Sequence, residues 1–513
     1  MSEQQRGGSA VTVPETSGPV DGAQPESHVS TIGQRAGRGL GWALIGNLVF
    51  KAGSFAISLV LVRILVPHDF GLYAVALAAN AFVIHVNDMG MIAATVQWRG
   101  RVEEMAATAT TLAIGFSLGW YALFWMAAPV MADVAGSPEA TPLIRLLTLT
   151  IVLDGISAVS VGVLQRRFQQ DLLMKVIAIG FVFSAVLSVS LALAGAGAYS
   201  FVLGTLAQAL VVTVLVLRTA RVPFRLGFDR KIARRLISFG APLAVGLGIE
   251  SVLLYSDSVI VGHVLGTVVL GYYLLAFNIS SWVPGLVGTA VRYVSIPAFS
   301  RLAEGETDDV AVGVQRTLPM MIAVVAPIAA GFVALSPSLV HVLYGADWAP
   351  AAEALRFLAF VMVARMFTAL VFDIQTGLGN TQVSIWVNLV WLLALLPALW
   401  LGANAGGMQG AALGHAVVAF AVAIPVAAWM LHRAGVPMGP VLRKIGRPVL
   451  AGVAAGGVMA ALAIPLESPI ADLAVAGTAG GVVYLLVVVP ASGRAACREQ
   501  LRSVVAARRA VKA

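Results

Sequence analysis

Long apolar segments alternate with short polar gaps from about residue 39 to residue 490. Each segment has about 20 residues or more, the length that an α-helix needs to cross about 30 Å of hydrocarbon. Strands of a membrane barrel would instead alternate apolar and polar residues over about 10 positions. The pattern therefore predicts an all-α, polytopic membrane protein of about 14 transmembrane helices. The predicted spans are 39–65, 70–98, 105–131, 140–164, 172–195, 199–217, 235–262, 268–299, 312–338, 350–378, 383–401, 408–431, 446–465 and 470–490.

Lysine and arginine are confined to alternate gaps between these spans. The gaps after odd-numbered spans contain neither residue, whereas most gaps after even-numbered spans contain one or more, such as Arg99, Arg166 and Arg301. Positive residues mark cytoplasmic loops. We therefore expect a protein of the cytoplasmic membrane with both termini in the cytoplasm. A miscounted span would have reversed the alternation further along the chain, so the charges support both the count and the orientation.

A corner sequence near the start of the chain occurs again 200 residues later. Residues 64–75 align without a gap on residues 264–275, and Leu65, Gly71 and Tyr73 are identical in both copies. Pro67 stops one helix, because proline lacks an N–H group, and the next helix follows almost immediately. We interpret the chain as a duplicated membrane protein. Two pseudo-symmetric six-helix lobes would surround a central cavity, and two C-terminal helices would lie outside the duplication.

The composition of successive segments divides the chain into six parts. The first 36 residues are polar and lack an apolar run, which is typical of a disordered segment. A gap with seven basic residues and one acid lies midway and is interpreted as the linker between the lobes. The predicted parts are a disordered cytoplasmic tail (1–36), an N-lobe of helices 1–6 (37–217), a basic cytoplasmic linker (218–234), a C-lobe of helices 7–12 (235–434), helices 13 and 14 (435–490) and a basic cytoplasmic tail (491–513).

Composition excludes several classes of protein. Charged residues make up 11% of the chain, against about 25% in soluble domains, and the mean hydropathy is +0.89. The net charge of +8 is explained by orientation in the membrane rather than by nucleic-acid binding. A single cysteine, Cys497, excludes a disulfide framework and a cysteine metal cluster. No nucleotide-binding loop, catalytic motif or large outer gap occurs, so we expect neither an enzyme nor a metal or cofactor site, apart from a coupling Na⁺ or H⁺.

Ionisable residues within the predicted spans are the candidate functional residues, because burying a charge in a membrane costs several kcal/mol. One interpretation is a polar cavity that binds an anion and a coupling cation. The other is a set of internal ion pairs that fix helix packing. A lone histidine in a span, such as His415, is more often a packed polar group than a proton relay. The candidate cations are Lys51, Arg292 and Arg365, and the candidate coupling or ion-pair carboxylates are Asp88, Asp154, Glu250 and Asp257.

An ordered set of short motifs resembles the polysaccharide transporter branch, or Wzx-type flippases, of the multidrug/oligosaccharidyl-lipid/polysaccharide flippase superfamily. The motifs are R-x-L-x-P-x-D-F-G-x-Y (63–73), DMG (88–90), VQ (96–97), GHVLGTVVLGYY (262–273) and LYGADWAPA (343–351). The resemblance implies two six-helix lobes that form a V around a cavity. It also implies movement of an undecaprenyl-pyrophosphate-linked oligosaccharide to the outer leaflet by alternating access, generally driven by ion gradients. The cationic cavity of the family would correspond to Lys51, Arg292 and Arg365.

Three classes of function follow from these expectations. The first is the flippase, whose partners would be the lipid-linked oligosaccharide, the bilayer and glycan polymerase machinery, with the protein itself a monomer. The alternative is a cation-coupled drug or metabolite antiporter of the same superfamily, which would share the two-lobe fold and the internal carboxylates. The third, a membrane glycosyl ligase or polymerase, is disfavoured because such enzymes need a sizeable outer loop.

Overall fold

The computed structural model describes residues 51–489, apart from residues 52, 85–90, 99–100, 168, 223–224, 303–306, 381 and 465–467. These residues form helices joined by short turns, and no strand occurs among them. Asp88 and both predicted terminal tails lie outside the described residues. The helices are α1 (Gly53–Ile64), α2 (Pro67–Ile84), α3 (Met91–Gln97), α4 (Val102–Val134), α5 (Thr141–Leu147), α6 (Leu149–Arg166), α7 (Gln170–Leu193), α8 (Tyr199–Ala220), α9 (Arg230–Leu265), α10 (Thr267–Val283), α11 (Thr289–Leu302), α12 (Thr307–Tyr344), α13 (Ala351–Gly377), α14 (Gln382–Val418), α15 (Ile424–Arg433), α16 (Met438–Ala463), α17 (Pro469–Ala471) and α18 (Gly477–Val488).

Ten of the described helical segments are long and apolar enough to cross a membrane. One of them, Gln382–Arg433, has 52 residues and bends at Gly406 and Gly407, whose backbone angles are not helical. The prediction of an all-α, multi-pass membrane protein is confirmed. The count of about 14 spans stays a prediction.

Several helix ends differ from the boundaries that the apolar pattern predicts. The predicted span 70–98 contains both α2 and α3, and the predicted span 140–164 is interrupted at Thr148 between α5 and α6. The predicted linker overlaps the start of α9, because the Asp229 carboxylate accepts hydrogen bonds from the backbone N–H groups of Lys231 and Ile232. A carboxylate in that position satisfies two of the free N–H groups of the first turn and fixes where the helix begins.

Among the described residues, three π-helical turns interrupt the longer helical segments: Pro284–Gly288, Ala419–Ala423 and Asp472–Ala476. Pro284 begins the first of these turns, and Pro425 lies two residues after the second. Proline cannot donate a hydrogen bond to the preceding turn, so the helix accommodates these two prolines by widening locally. The first of these turns joins α10 to α11 and lies beside the candidate site.

The two copies of the repeated corner pack against each other reciprocally. A Cβ atom added at Gly71 would lie 1.9 Å from the carbonyl oxygen of Thr267, and one added at Gly271 would lie 2.0 Å from that of Pro67. Positions 67 and 267, like 71 and 271, differ by the 200-residue offset of the repeat. Because only glycine lets the two backbones approach so closely, the conserved spacing within the repeat creates a two-fold contact between α2 and α10.

The lobes are joined most extensively at one end of the bundle, which contains these corners and is called the corner end. There the Nη2 atom of Arg63 donates to the carbonyl oxygen of Val342 at 3.0 Å, and the indole N–H of Trp348 donates to that of Val62 at 3.1 Å. Tyr273 and Trp348 belong to the largest buried apolar cluster, which contains residues of both lobes. The loops at this end are those without lysine or arginine, so the alternation of charge corresponds to the two ends of the bundle.

The last helices pack against the second lobe. Helices α16 and α18 lie on α12, where Gly452 and Gly456 approach Ala326 and Ala330 closely. The buried Asp472 accepts a hydrogen bond from the Ser338 hydroxyl of α12 at 2.5 Å. These contacts agree with two additional helices outside the duplication.

Candidate functional site

A polar cavity lies inside the second lobe and is called the C-lobe cavity. Residues of α9, α10, α11, α13 and α14 line it, and its two adjoining parts share Phe277 and Arg365. One part also contains Asp257 and Tyr273, and Leu77 of α2 contributes to its wall from the first lobe. The other part contains the remaining groups that matter here: Arg292, Asn388, Trp391 and His415. Polar groups of five helices thus converge within the membrane-spanning region.

Arg365 lies at the junction of the two parts. Its Nη1 atom donates to the Ser281 hydroxyl at 3.0 Å, and its guanidinium carbon lies 5.3 Å from the centre of the Phe277 ring. A guanidinium group above an aromatic face is stabilised by the ring quadrupole. These two contacts help to hold the side chain in the cavity.

Arg292 forms an ion pair in the same part of the cavity as His415. Its Nε atom lies 3.0 Å from Oδ1 of Asp373, and the Ser295 hydroxyl donates to Oδ2 of the same carboxylate at 3.1 Å. The carboxylate is buried, with 5% of its side chain exposed, whereas 61% of the Arg292 side chain is exposed. The pair therefore anchors Arg292 through one nitrogen and leaves most of its guanidinium accessible from the cavity.

Lys51 approaches the same region from the first lobe. A Cβ atom added at Gly285 would lie 3.2 Å from its Nζ atom. Gly285 follows Pro284, which lines the cavity, within the π-helical turn between α10 and α11. The structure thus brings Arg292 and Arg365 into one cavity and places Lys51 against its wall. Their role in binding substrate stays a prediction.

Asp257 belongs to a buried hydrogen-bonded cluster. Its Oδ2 atom accepts from the Tyr273 hydroxyl at 2.6 Å and lies 2.7 Å from Nδ1 of His415. Because a carboxylate oxygen accepts, Nδ1 carries the hydrogen in this arrangement. The cluster joins α9, α10 and α14, and the ring of Trp391 packs edge-on against His415.

Of the other predicted carboxylates, only the Asp154 side chain is described, and it does not line the C-lobe cavity. Asp154 lies on α6 of the first lobe and is half-buried. The backbone of Glu250 belongs to α9, and its side chain lies outside the described residues, as does Asp88.

Three functional candidates escaped the sequence analysis. Asp373 and Tyr273 were not considered as polar groups within spans, and His415 was interpreted as a packed polar group. The sequence does offer one signal for Asp373, because it lies eight residues after the candidate Arg365, about two helical turns along α13. The partners of Asp257 are separated from it by 16 and 158 residues, so only the fold reveals the cluster.

The arrangement can bind an anion. Two guanidinium groups in one cavity offer paired N–H donors that match phosphate oxygens. The helices that line the cavity lower its polarity relative to bulk water, and this strengthens the attraction. Asp373 offsets one charge when the cavity holds no anion, and it competes with an anion for Arg292.

Comparisons with known proteins agree with this description. A family model described as "Polysaccharide biosynthesis protein" matches residues 60–353, more than half of the chain. The succinoglycan biosynthesis transport protein ExoT of Rhizobium meliloti is 28% identical over 474 residues, which cover 88% of this chain and 92% of that protein. The lipopolysaccharide biosynthesis protein WzxC of Escherichia coli is 22% identical over 386 residues, which cover 74% of this chain and 77% of that protein.

Solved structures show the same fold. The lipid II flippase MurJ in an inward closed conformation matches with a TM-score of 0.70 and 14% identity, covering 86% of this chain and 97% of that one. An inward-facing transporter of the multidrug resistance MATE family matches with a TM-score of 0.60 and 14% identity, covering 76% of this chain and 98% of that one. At this identity the similarity concerns the fold alone. The name of ExoT, a transport protein, agrees with the prediction that the chain is not an enzyme.

Proposed function

Because the chain belongs to the polysaccharide biosynthesis protein family, we propose that it is a flippase for a lipid-linked oligosaccharide. Its substrate would be an undecaprenyl-pyrophosphate-linked precursor of a surface polysaccharide, moved from the inner to the outer leaflet of the cytoplasmic membrane. The observation that carries the proposal is the convergence of Arg292 and Arg365 in one cavity of a membrane-embedded lobe, with Lys51 at its wall.

The chemistry of such a substrate requires these groups. A pyrophosphate with sugars cannot cross hydrocarbon unaided, since its charges would lose their hydration. Arg365 supplies a cation at the junction of the two parts of the cavity, and Arg292 supplies one whose carboxylate partner the pyrophosphate displaces in part. The lipid tail stays in the bilayer while the headgroup occupies the cavity.

The distribution of contacts between the lobes supports alternating access. The corner end is sealed by the reciprocal glycine contact and by the hydrogen bonds of Arg63 and Trp348. The loops at that end lack lysine and arginine, so we assign it to the outer face. The sealed state then accepts substrate from the cytoplasmic side, and separation of the corners releases it outside.

Ion gradients would power the cycle. A membrane potential that is negative inside contributes about 2.3 kcal/mol per charge per 100 mV to outward movement of an anion. The coupling ion would be H⁺ or Na⁺, and the buried acidic groups of the second lobe are the candidates for binding it.

The test uses a strain that lacks the gene and carries variants of it. Arg365→Gln should abolish export of surface polysaccharide and cause lipid-linked oligosaccharide to accumulate, while the protein level stays normal because removal of a charge eases membrane insertion. Arg365→Lys should retain part of the activity, since the charge survives without the two-pronged guanidinium.

Arg356→Gln is the matched control, because Arg356 lies on the same helix but donates to the Ser336 hydroxyl outside the cavity. Normal export in the Arg365→Gln strain would contradict the proposed site. A gene deletion with normal surface polysaccharide and increased drug sensitivity would instead establish the antiporter.

A further inference from the structure

The Asp257 cluster contains two titratable groups in direct contact and out of water. Asp257 and His415 have only 2% and 4% of their surface exposed, and Tyr273 has 1%. Both donors of the cluster bond to the same carboxylate oxygen, Oδ2. The other oxygen, Oδ1, is buried and has no hydrogen-bond partner among the described residues. An ionised carboxylate with one unsatisfied oxygen is costly in such surroundings, and a proton relieves that cost.

We propose that Asp257 and His415 together bind one proton, and that this proton strengthens the binding of an anionic headgroup in the C-lobe cavity. The inference rests on the proposed flippase function and names a proton site that regulates its anion site. The proton comes from water in the cavity and is shared by the two side chains, because Oδ2 of Asp257 and Nδ1 of His415 are 2.7 Å apart. Tyr273 holds the carboxylate in place through its hydroxyl hydrogen.

The geometry favours a proton over a sodium ion. Hard cations are bound by several oxygen ligands at once. Only one carboxylate oxygen of the cluster is available, and the imidazole N–H is a donor that repels a cation. Among the described residues, no group of three or more histidine, cysteine, aspartate or glutamate side chains could hold a metal ion. A proton needs a single acceptor, which Oδ1 of Asp257 or Nε2 of His415 provides.

The internal duplication argues that the cluster is not needed for packing alone. At the 200-residue offset, Tyr273 corresponds to Tyr73, and Asp257 corresponds to Ile57, an apolar residue. Tyr73 is half-buried, and its hydroxyl bonds to Thr205 of α8. The first lobe therefore packs its corner tyrosine against a hydroxyl group, whereas the second lobe carries an acid and a histidine in the equivalent region.

The proton site and the anion site share the C-lobe cavity. Asp257 lines one part of it together with Arg365, and His415 lines the other part together with Arg292 and Arg365. Among the described residues, the other charged or titratable groups that line this cavity are Tyr255 of α9, Arg365 of α13 and Arg292 of α11, which pairs with Asp373 of α13. Tyr73 of α2 lies near Tyr255.

The sign of the linkage follows from these charges. A proton on the cluster removes one negative charge beside Arg365, so the guanidinium attracts a pyrophosphate more strongly. Proton binding and anion binding therefore reinforce each other, and by reciprocity anion binding takes up protons. Substrate affinity should fall as the pH rises and the cluster loses its proton.

The experiment measures binding of undecaprenyl pyrophosphate to the full-length protein in lipid nanodiscs between pH 5.5 and 8.5. Titration calorimetry in two buffers of different ionisation enthalpy counts the protons taken up. The wild-type affinity should fall by up to tenfold per pH unit beyond the slope that the pyrophosphate itself causes. Asp257→Asn and His415→Gln should each remove that additional slope and the additional proton.

Asp472→Asn is the matched control. Asp472 is also a buried carboxylate with one hydrogen-bonded oxygen and one without a partner among the described residues, but it faces Ser338 away from the cavity. This variant should keep the wild-type pH profile and proton count. Thermal unfolding of each variant shows whether it is folded, and Tyr273→Phe, which keeps both titratable groups, should still take up the proton.

Two outcomes distinguish the inference from the function on which it rests. Binding whose pH profile and proton count are the same in the wild type, Asp257→Asn and His415→Gln overturns the proton site and leaves the flippase standing. Absence of undecaprenyl pyrophosphate binding by the wild type at every pH overturns both.

Discussion

The reciprocal corner contact predicts a specific effect of adding one methyl group. In Gly71→Ala the new Cβ atom would lie 1.9 Å from the carbonyl oxygen of Thr267, whereas real Cβ atoms stay at least 3.0 Å from such an atom. The two backbones must therefore separate by about 1.1 Å, the difference between these distances. Overpacking of this kind costs about 1–3 kcal/mol. The cost applies to the sealed corner and disappears when the corners part.

The expected result is a shift of the conformational equilibrium away from the sealed corner by roughly five- to 150-fold. Gly271→Ala should behave alike, because its Cβ atom would lie 2.0 Å from the carbonyl oxygen of Pro67. Both variants should also slow transport, since the sealed state is the one that loads substrate in the proposed cycle.

A disulfide across the corner measures the shift. The hydroxyl oxygens of Ser137 and Thr267 are 2.6 Å apart and belong to different lobes. In a chain with Cys497→Ser, the pair Ser137→Cys and Thr267→Cys should oxidise rapidly, and Gly71→Ala should slow that oxidation. Gly119→Ala is the control, because its Cβ atom meets nothing within 4 Å. Equal oxidation rates in Gly71→Ala and Gly119→Ala would refute the assignment of the seal to this contact.

Two further predictions concern single side chains. Arg292→Gln should lower the melting temperature, because it leaves the buried Asp373 carboxylate without its cation, at a cost on the order of 1–3 kcal/mol. Adding Asp373→Asn should restore most of the loss, and a double variant no more stable than Arg292→Gln would contradict this account. Asp229→Ala should destabilise α9 by about 1 kcal/mol through loss of its N-cap, whereas Asp229→Asn should retain most of the stability; hydrogen exchange at Lys231 and Ile232 measures the difference.

The sequence predicted the features that depend on periodicity and spacing. The apolar segments indicated a helical membrane protein, and the 200-residue offset identified two corners that the structure shows in contact through Gly71 and Gly271. Arg292 and Arg365 were selected by residue type and depth alone, and they line the same cavity. These features are local or repeated in the sequence, so they can be recognised without knowing which segments contact each other.

The remaining features depend on contacts between distant segments. His415 lies 158 residues from Asp257, and nothing in its own span distinguishes a cluster member from an isolated histidine. Asp373 becomes a partner of Arg292 only when α11 packs against α13. The break at Thr148 was also missed, because an apolar run shows how long a segment is and not where its hydrogen bonding changes.

The π-helical turn at Pro284–Gly288 changes the angular register between the side chains of α10 and those of α11. Successive residues of an α-helix are offset by about 100°, and a π turn absorbs one extra residue. Regular α-helical geometry therefore does not fix the angle about the helix axis between Tyr273, before the turn, and Arg292, after it. If the π turn moved along the helix, only the residues through which it passed would rotate about the helix axis. Such a helix can turn Arg292 while Tyr273 remains bonded to Asp257.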